Sequence, residues 1–283
     1  MQFPKVLVLG ATGRIGAILR QCWFAKRVRW QSRSTLPGSD WLCFDPLNNP
    51  SALIRAATGC GTILCLAGVT NARAAAGGDL NDNLTLARAA IRAGAETGAR
   101  VLLASSAAIY GASSGILEED RPPAPLSDYG RIKAVMEAEG AALGEQLSVD
   151  VTALRIGNIA GLDAILGGWR KGFALDLFAD GRTPRRSYIG PASFARVLAD
   201  LCATQDLPDV LNIAAPTPIE MGALLDAADL EWASRLAPQT AIPQVHLSVE
   251  RLTRLCPAAS DNPLDMVAEW QRLKSGVLQG DHT

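Results

Sequence analysis

A doubly wound parallel α/β sheet followed by a smaller C-terminal lobe is the architecture the sequence predicts, on three observations. Short apolar runs alternate with helical segments over the first half of the chain, the pattern of parallel βαβ units. The loop Gly10-Ala11-Thr12-Gly13-Arg14-Ile15-Gly16 directly follows the apolar run Val6-Leu7-Val8-Leu9. A Ser105-Ser106 pair closes a later strand, and Tyr129-Gly130-Arg131-Ile132-Lys133 opens the helical segment after it.

Taken in order, the first strand is expected over Lys5–Leu9 and the first helix from about Ile15 to Phe24. Strands follow at Val28–Gln31 and Trp41–Phe44, then Asp45 and a helix near Asn49–Ala57. The fourth strand, Thr62–Leu66, ends in Ala67-Gly68, and a long helix covers about Leu80–Thr97. The fifth strand is Val101–Ala104, the proline-rich stretch Arg121–Pro125 is a loop, and a helix at Tyr129–Leu147 leads to a sixth strand at Asp150–Arg155. Gly161–Gly190 reads as irregular. Beyond it are a helix over Ser193–Ala203 with Ser193 as N-cap, a strand at Val210–Ala214, a helix at Ile219–Ala228, an extended stretch at Pro238–Val249 and terminal helices. Trp169, Phe173 and Phe178 have a spacing that suits core packing better than a substrate wall.

The 283 residues are enough for a large core in one or two lobes. With 48% hydrophobic and 19% charged residues the composition is that of a globular protein, and a net charge of −1 argues against nucleic acid or an anionic membrane as partner. No run reaches the roughly 18 uncharged apolar residues of a membrane helix. The chain starts directly on a strand rather than on a charged-then-apolar leader. Its cysteines (Cys22, Cys43, Cys60, Cys65, Cys202, Cys256) form no C-x-x-C and read as reduced, mostly buried thiols of a cytoplasmic protein. Only His246 and His282 are present, so a histidine-based metal site or a Ser-His-Asp triad has little to build on.

A strand that turns sharply into a helix through glycines lets the backbone approach a pyrophosphate lying at the helix N-terminus. Gly10, Thr12, Gly13, Arg14, Ile15 and Gly16 are therefore candidate cofactor-binding residues, and residues 1–160 read as a dinucleotide-binding Rossmann domain. Residues 161–283 read as a substrate lobe, parts of which return to the first domain. Tyr129 and Lys133, four apart on a helix, share one face. An ammonium beside a phenol favours the phenolate, so Tyr129 is expected to have a lowered pKa and to exchange a proton near neutral pH. Ser106 stands at the carboxyl end of a strand, where open α/β sheets bind ligands, and its hydroxyl can bond a substrate oxygen.

These segments resemble the extended short-chain dehydrogenase/reductases, also called the NAD(P)-dependent epimerase/dehydratase family. The resemblance rests on the Gly10–Gly16 loop, Val101-Leu102-Leu103-Ala104-Ser105-Ser106-Ala107-Ala108-Ile109-Tyr110-Gly111 and Tyr129–Lys133. Leu66-Ala67-Gly68, Asn83, Leu154-Arg155-Ile156-Gly157-Asn158 and Leu211-Asn212-Ile213-Ala214 extend it to about residues 3–215. It implies Ser106, Tyr129 and Lys133 as the catalytic set, with Lys133 also holding the nicotinamide ribose. It further implies that Asp45 lies near the adenine and that Leu66, Ala67, Gly68 and Asn83 border the cofactor.

Departures from the family pattern sharpen the expectation. Where many NAD-using members carry an acidic residue after the second strand, this chain has Gln31-Ser32-Arg33-Ser34. Ser32 and Arg33 could take a 2′-phosphate that a carboxylate would repel, which favours NADP over NAD. The Asp-Glu pair of the 4,6-dehydratases is replaced by Ala107-Ala108, and no Cys or His stands near Ser106 in the sequence as a 3,5-epimerase/reductase requires. Redox at one carbonyl or alcohol carbon remains as the first expectation. A nucleotide-sugar 4-epimerase with tightly bound NAD is the second, and a cofactor-sensing binding protein the third. Arg182, Arg185 and Arg186 could hold the diphosphate of a nucleotide sugar. The substrate is expected to be a small molecule, and Ala-rich faces on the Leu80–Thr97 and Tyr129–Leu147 helices are compatible with a homodimer.

Overall fold

Near-continuous apolar strands mark a sheet covered on both faces. The computed structural model describes residues 4–23, 25–38 and 41–280. Phe24 and His282, named above, lie outside them.

The elements of the first half are β1 (Val6–Leu9), α1 (Arg14–Cys22), β2 (Val28–Ser32), β3 (Trp41–Cys43), α2 (Pro50–Ala57), β4 (Thr62–Cys65), α3 (Asn71–Ala75), α4 (Asp82–Thr97), β5 (Arg100–Ser106), β6 (Ile116–Leu117), α5 (Asp128–Leu147) and β7 (Val151–Ile156). The second half adds β8 (Asn158–Ile159), β9 (Ala174–Leu177), β10 (Arg185–Arg186), β11 (Tyr188–Ile189), α6 (Pro191–Ala203), β12 (Val210–Ile213), β13 (Ile219–Glu220), α7 (Met221–Asp226), β14 (Ala233–Leu236), β15 (Gln244–Leu247), α8 (Glu250–Leu255) and α9 (Pro263–Gly280).

The chain divides into two compact units that interleave along the sequence. The first comprises Met1–Gly111, Pro123–Arg155 and Leu198–Leu211; the second comprises Ala112–Pro122, Ile156–Val197 and Asn212–Thr283.

The first unit is built on a seven-stranded sheet of order β12-β7-β5-β4-β1-β2-β3. β1 pairs in parallel with both β2 and β4, and the β2–β3 and β4–β5 pairings are parallel too. Strand order therefore reverses between β1 and β4, the place where doubly wound sheets open a ligand crevice. Leu7, Leu9, Ile63, Val101 and Leu103 from the sheet pack with Leu53 of α2, Ile91 of α4 and Met136 of α5 in one core cluster. α5 lies tight on the sheet: a Cβ on Gly144 would stand 2.7 Å from a Val151 methyl. The small-residue face of this helix is thus used in burial.

The second unit holds a four-stranded sheet, β13-β10-β15-β6, and the two-stranded pairs β11–β8 and β14–β9. Gly161–Gly190, expected to be irregular, carries three of these strands. Their pairings are non-local, as in His246 of β15 opposite Ile116 of β6, so local pattern does not announce them. The helix expected over Ile219–Ala228 is shorter, because Ile219 and Glu220 pair with β10 before α7 begins. Ser193 is not the N-cap of α6. The helix starts at Pro191, and the Ser193 N–H and hydroxyl both donate to Glu269 of α9, at 3.0 and 2.6 Å. A proline at the first helical position leaves no N–H to satisfy there, and Glu269 takes the acceptor role at the helix start. Asn212 is fully buried and ties three segments together, donating to Leu117 O at 2.9 Å and Ser248 O at 3.0 Å and, from its N–H, to Glu119 at 3.0 Å. Trp169, Phe173 and Phe178 are half-buried. No helix among the described residues is long and apolar enough to cross a membrane.

Arg100, at the start of β5, caps the end of α6 within the first unit. Its guanidinium donates to Leu201 O at 2.9 Å, to Cys202 O at 2.6 Å and to Thr204 O, while Nε donates to Thr62 Oγ1 at 3.1 Å. The last carbonyls of a helix have no partners of their own, and a cation there also suits the helix dipole. Arg100→Met is expected to lower stability by about 2 kcal/mol in chemical denaturation; an unchanged midpoint would refute this cap.

Candidate active site

The chain leaves β1 at Gly10, whose φ of +78° is in the left-handed region that glycine enters without penalty. A Cβ there would stand 2.6 Å from Ala67 N, so the same glycine lets the loops after β1 and β4 touch backbone to backbone. A Cβ on Gly16 would fall 2.3 Å from the Ala11 carbonyl oxygen. Gly13 is the N-cap of α1, with no side chain capping it and no acid in the first turn. By contrast Asn49, Thr70 and Ser127 cap α2, α3 and α5 with their side chains. An uncapped helix start free of carboxylates suits an anion. Thr12, Gly13 and Arg14 are exposed on it, and Ile15 is half-buried.

Two side chains that sequence reasoning missed hold this loop. Gln31, buried at the end of β2, accepts from Gly10 N at 3.1 Å and donates to Phe44 O at 2.7 Å. Arg20 of α1 donates to Ala11 O and lies 5.0 Å over the Trp41 ring. A polar amide beside Trp30 near the end of β2 was the visible signal for Gln31.

Past β2, Arg33 stands exposed, whereas Ser32 is buried and its hydroxyl engages its own turn, donating to Ser34 O at 2.7 Å and accepting from Ser34 N at 3.1 Å. Of the two residues expected to meet a 2′-phosphate, Arg33 alone presents itself. Asp45 accepts from Leu47 N at 2.8 Å, and Phe44 N, just before it, donates to Ser32 O at 2.9 Å. Asp45 is thereby held beside the end of β2.

Ser106 ends β5 and accepts from Ala108 N at 3.2 Å, capping the single 3-10 turn Ala107–Tyr110. The Tyr129 phenol lies close enough for this hydroxyl to lower its pKa. Gly130, next to Tyr129, allows this approach, since a Cβ there would stand 2.6 Å from the Ala108 carbonyl oxygen. Lys133, one turn further along α5, is 5% exposed and donates to Ala104 O at 2.7 Å, with Nζ 5.7 Å from the Tyr129 ring centre. Ser106, Tyr129 and Lys133 thus converge at the carboxyl end of β5.

The electrostatics differ from the expectation for Tyr129. Burial raises its pKa above the ordinary phenol value, and the Ser106 hydroxyl offsets only part of that. Burial pulls the Lys133 ammonium down to about 8, against the opposing influence of Cys65 and Glu137. Desolvation wins because both groups face protein more than water. Cys65, at the end of β4, is another neighbour not foreseen from the sequence; burial pushes its thiol up to about 11, so it stays neutral and unreactive near pH 7.

Asn83 of α4 completes the constellation. It is 2% exposed and donates to Val69 O at 2.9 Å and Leu80 O at 3.0 Å. Its Oδ1 is the one buried side-chain polar atom without a partner among the described residues. That oxygen is aimed at Gly68, where a Cβ would come within 2.3 Å of it and 3.8 Å of Lys133 Nζ. An orphaned acceptor, an ammonium and a glycine-lined gap on one sheet edge, together with the uncapped start of α1, fit a nicotinamide dinucleotide. No cluster of metal-ligating residues occurs among the described residues.

Residues 6–167 match the model of the NAD dependent epimerase/dehydratase family. No curated protein matches the sequence. Among solved structures, the chain is similar to MoeE5 in complex with UDP-glucuronic acid and NAD (22% identity, TM-score 0.73, covering 96% of this chain and 99% of that one). It is also similar to a UDP-N-acetylglucosamine 4-epimerase from Methanobrevibacter ruminantium M1 in complex with UDP-N-acetylmuramic acid (16%, TM-score 0.77, 99% and 100%). A third is the UDP-glucose 4-epimerase of Thermus thermophilus in complex with NAD (20%, TM-score 0.71, 94% and 98%). With more than half of its length matched, the chain belongs to the NAD dependent epimerase/dehydratase family and is an NAD(P)-dependent enzyme of the extended short-chain dehydrogenase/reductase type.

Proposed function

We propose that this protein interconverts a carbonyl and an alcohol on a small-molecule substrate, with Ser106, Tyr129 and Lys133 as the catalytic set. The observation that carries the proposal is the convergence at the end of β5 of Ser106, Tyr129 and Lys133, whose Nζ lies 5.7 Å from the Tyr129 ring centre and donates to Ala104 O. Gly10, Thr12, Gly13, Arg14, Ile15 and Gly16 would hold the cofactor's pyrophosphate, Asp45 its adenosine end, and Leu66, Ala67, Gly68, Asn83 and Lys133 its nicotinamide end. When bound, the nicotinamide supplies the hydride acceptor or donor. Ser106 orients the substrate oxygen by a hydrogen bond. Tyr129 gives a proton to that oxygen in reduction and takes it in oxidation. Lys133 places a positive charge beside the phenol, which favours the phenolate in oxidation even though burial sets the resting phenol high. Ala107 and Ala108 offer no second acid/base pair, which favours simple redox over elimination of water.

The proposal includes a preference for NADP. It rests on the exposed Arg33 and on Gln31, a neutral amide where many NAD-using members carry an acid. A second reading is a 4-epimerase of a nucleotide sugar that retains NAD through both half-reactions. The structural neighbours with UDP-sugars favour it, as do Arg182, Arg185 and the half-buried Arg186 in the second unit, cations suited to a diphosphate.

Three outcomes are expected. Tyr129→Phe should cut turnover at least 100-fold while leaving nucleotide affinity within a few-fold of wild type; full activity in that variant would remove Tyr129 from the chemistry. In thermal-shift titrations NADPH should stabilise the protein at lower concentration than NADH; equal or better stabilisation by NADH would discard Arg33 as a phosphate ligand and raise the epimerase reading. Gly16→Ala should fold yet lose its response to either nucleotide, since a methyl there displaces the Ala11 carbonyl and with it the loop; a normal shift would place the pyrophosphate elsewhere.

A further inference from the structure

Glu137 is a buried carboxylate that the proposed reaction leaves unused. It is 8% exposed, on α5, four residues after Lys133 and eight after Tyr129, so the three share a helix face. Arg155, 4% exposed on β7, grips it with Nε at 3.0 Å and Nη2 at 2.8 Å from Oε2. The Ser105 hydroxyl donates to Oε1. The remaining arm of Arg155 donates to Tyr110 OH at 2.9 Å, and its guanidinium carbon lies 5.0 Å over that ring. Burial pulls Arg155 down, but its hydrogen bonds to Glu137 and the charge of that carboxylate outweigh burial, and the net direction is up.

A buried ion pair of this kind is rarely the cheapest way to fill a core, because desolvation cancels much of the attraction. Its location gives it a different meaning. Ser105 adjoins Ser106, Tyr110 ends the turn that Ser106 caps, and Glu137 is one turn from Lys133. The groups around Lys133 are Cys65 on β4, the Ala104 carbonyl on β5, Asn83 on α4, and Tyr129, Met136 and Glu137 on α5, with the Arg155 cation of β7 paired to Glu137 on its far side. Near neutral pH the thiol and the phenol are uncharged, so Glu137 is the anion among them.

We propose that Glu137 is a positioning residue for Lys133: Arg155 and Ser105 hold its carboxylate fixed one helical turn away, where it keeps charged the ammonium that the Ala104 carbonyl holds in place. The proposal rests on Ser106, Tyr129 and Lys133 being the reacting set, but its test does not use turnover.

The test is a pH titration of full-length protein labelled with 13Cε-lysine, the Lys133 resonance being assigned by its loss in Lys133→Arg. Wild-type Lys133 should titrate at about 8. In Glu137→Gln the carboxylate charge is gone, and Lys133 should bind its proton about tenfold more weakly, moving the midpoint down. A purely structural role would loosen the helix, expose Lys133 and move its midpoint up toward the 10.5 of solvated lysine. An unchanged or raised midpoint therefore overturns the proposal. Should Glu137→Gln fail to fold, Glu137→Asp keeps the charge on a shorter stem; its Lys133 proton affinity should stay within about twofold of wild type, and a tenfold change would overturn the assignment. Full turnover in Tyr129→Phe would reject the catalytic reading without touching either result.

Discussion

The site depends on one close approach: the backbone of Gly10 against that of Ala67, where two parallel strands lie side by side and the strand order reverses. From β1 the chain goes on to β2 and β3, and from β4 it goes on to β5. Loops leaving neighbouring strands toward opposite halves of a sheet leave a crevice between them. Because Gly10 has no side chain, the floor of that crevice is backbone, and the α1 start stands beside the segment that carries Gly68. Gln31 and Arg20 hold the loop from behind, and Asn83 and Lys133 approach from α4 and α5. A larger residue at position 10 would drive the two loops apart and dismantle both halves of the constellation at once.

Much of this was legible because it is local. The strands of the first unit announce themselves by short apolar runs, and their observed ends differ from the expected ones by one or two residues. The glycine loop, the Ser105-Ser106 strand end and the Tyr129–Lys133 spacing are each contained within a few residues, and the structure brings Ser106, Tyr129 and Lys133 together. What was not legible depends on distant partners. Gln31 is a loop clip only because Gly10 and Phe44 face it. The acidity of Tyr129 was misjudged because spacing reveals the neighbouring cation but not the burial that outweighs it. Glu137 lay in view, at the spacing that already linked Tyr129 to Lys133. Its meaning depends on Arg155, from a strand that follows α5, and on Ser105, from a strand that precedes it.

The second unit shows the same division. Its strands are two to four residues long, too short to carry a periodicity, and they exist through pairings such as β10 with β13 and β15. Adjacent residues of α9 supply two docking contacts. Glu269 takes the role foreseen for Ser193 at the start of α6, and Trp270 lies where any side chain at Gly161 would stand, 2.0 Å from its Cδ1. A late helix therefore fixes loops that precede it by up to about a hundred residues. That dependence explains why the middle of the chain looks featureless when read alone.

The distribution of tyrosines has a practical consequence. The chain has three, and two of them, Tyr110 and Tyr188, present no surface at all. Tyr129 is the remaining one and is partly open to solvent. A phenol-directed reagent applied to the folded protein thus has a single address, and that address lies in the candidate site. Mild nitration or iodination becomes a site-specific label that needs no engineered residue, and protection from it becomes a direct optical or mass-spectrometric gauge of what occupies the crevice.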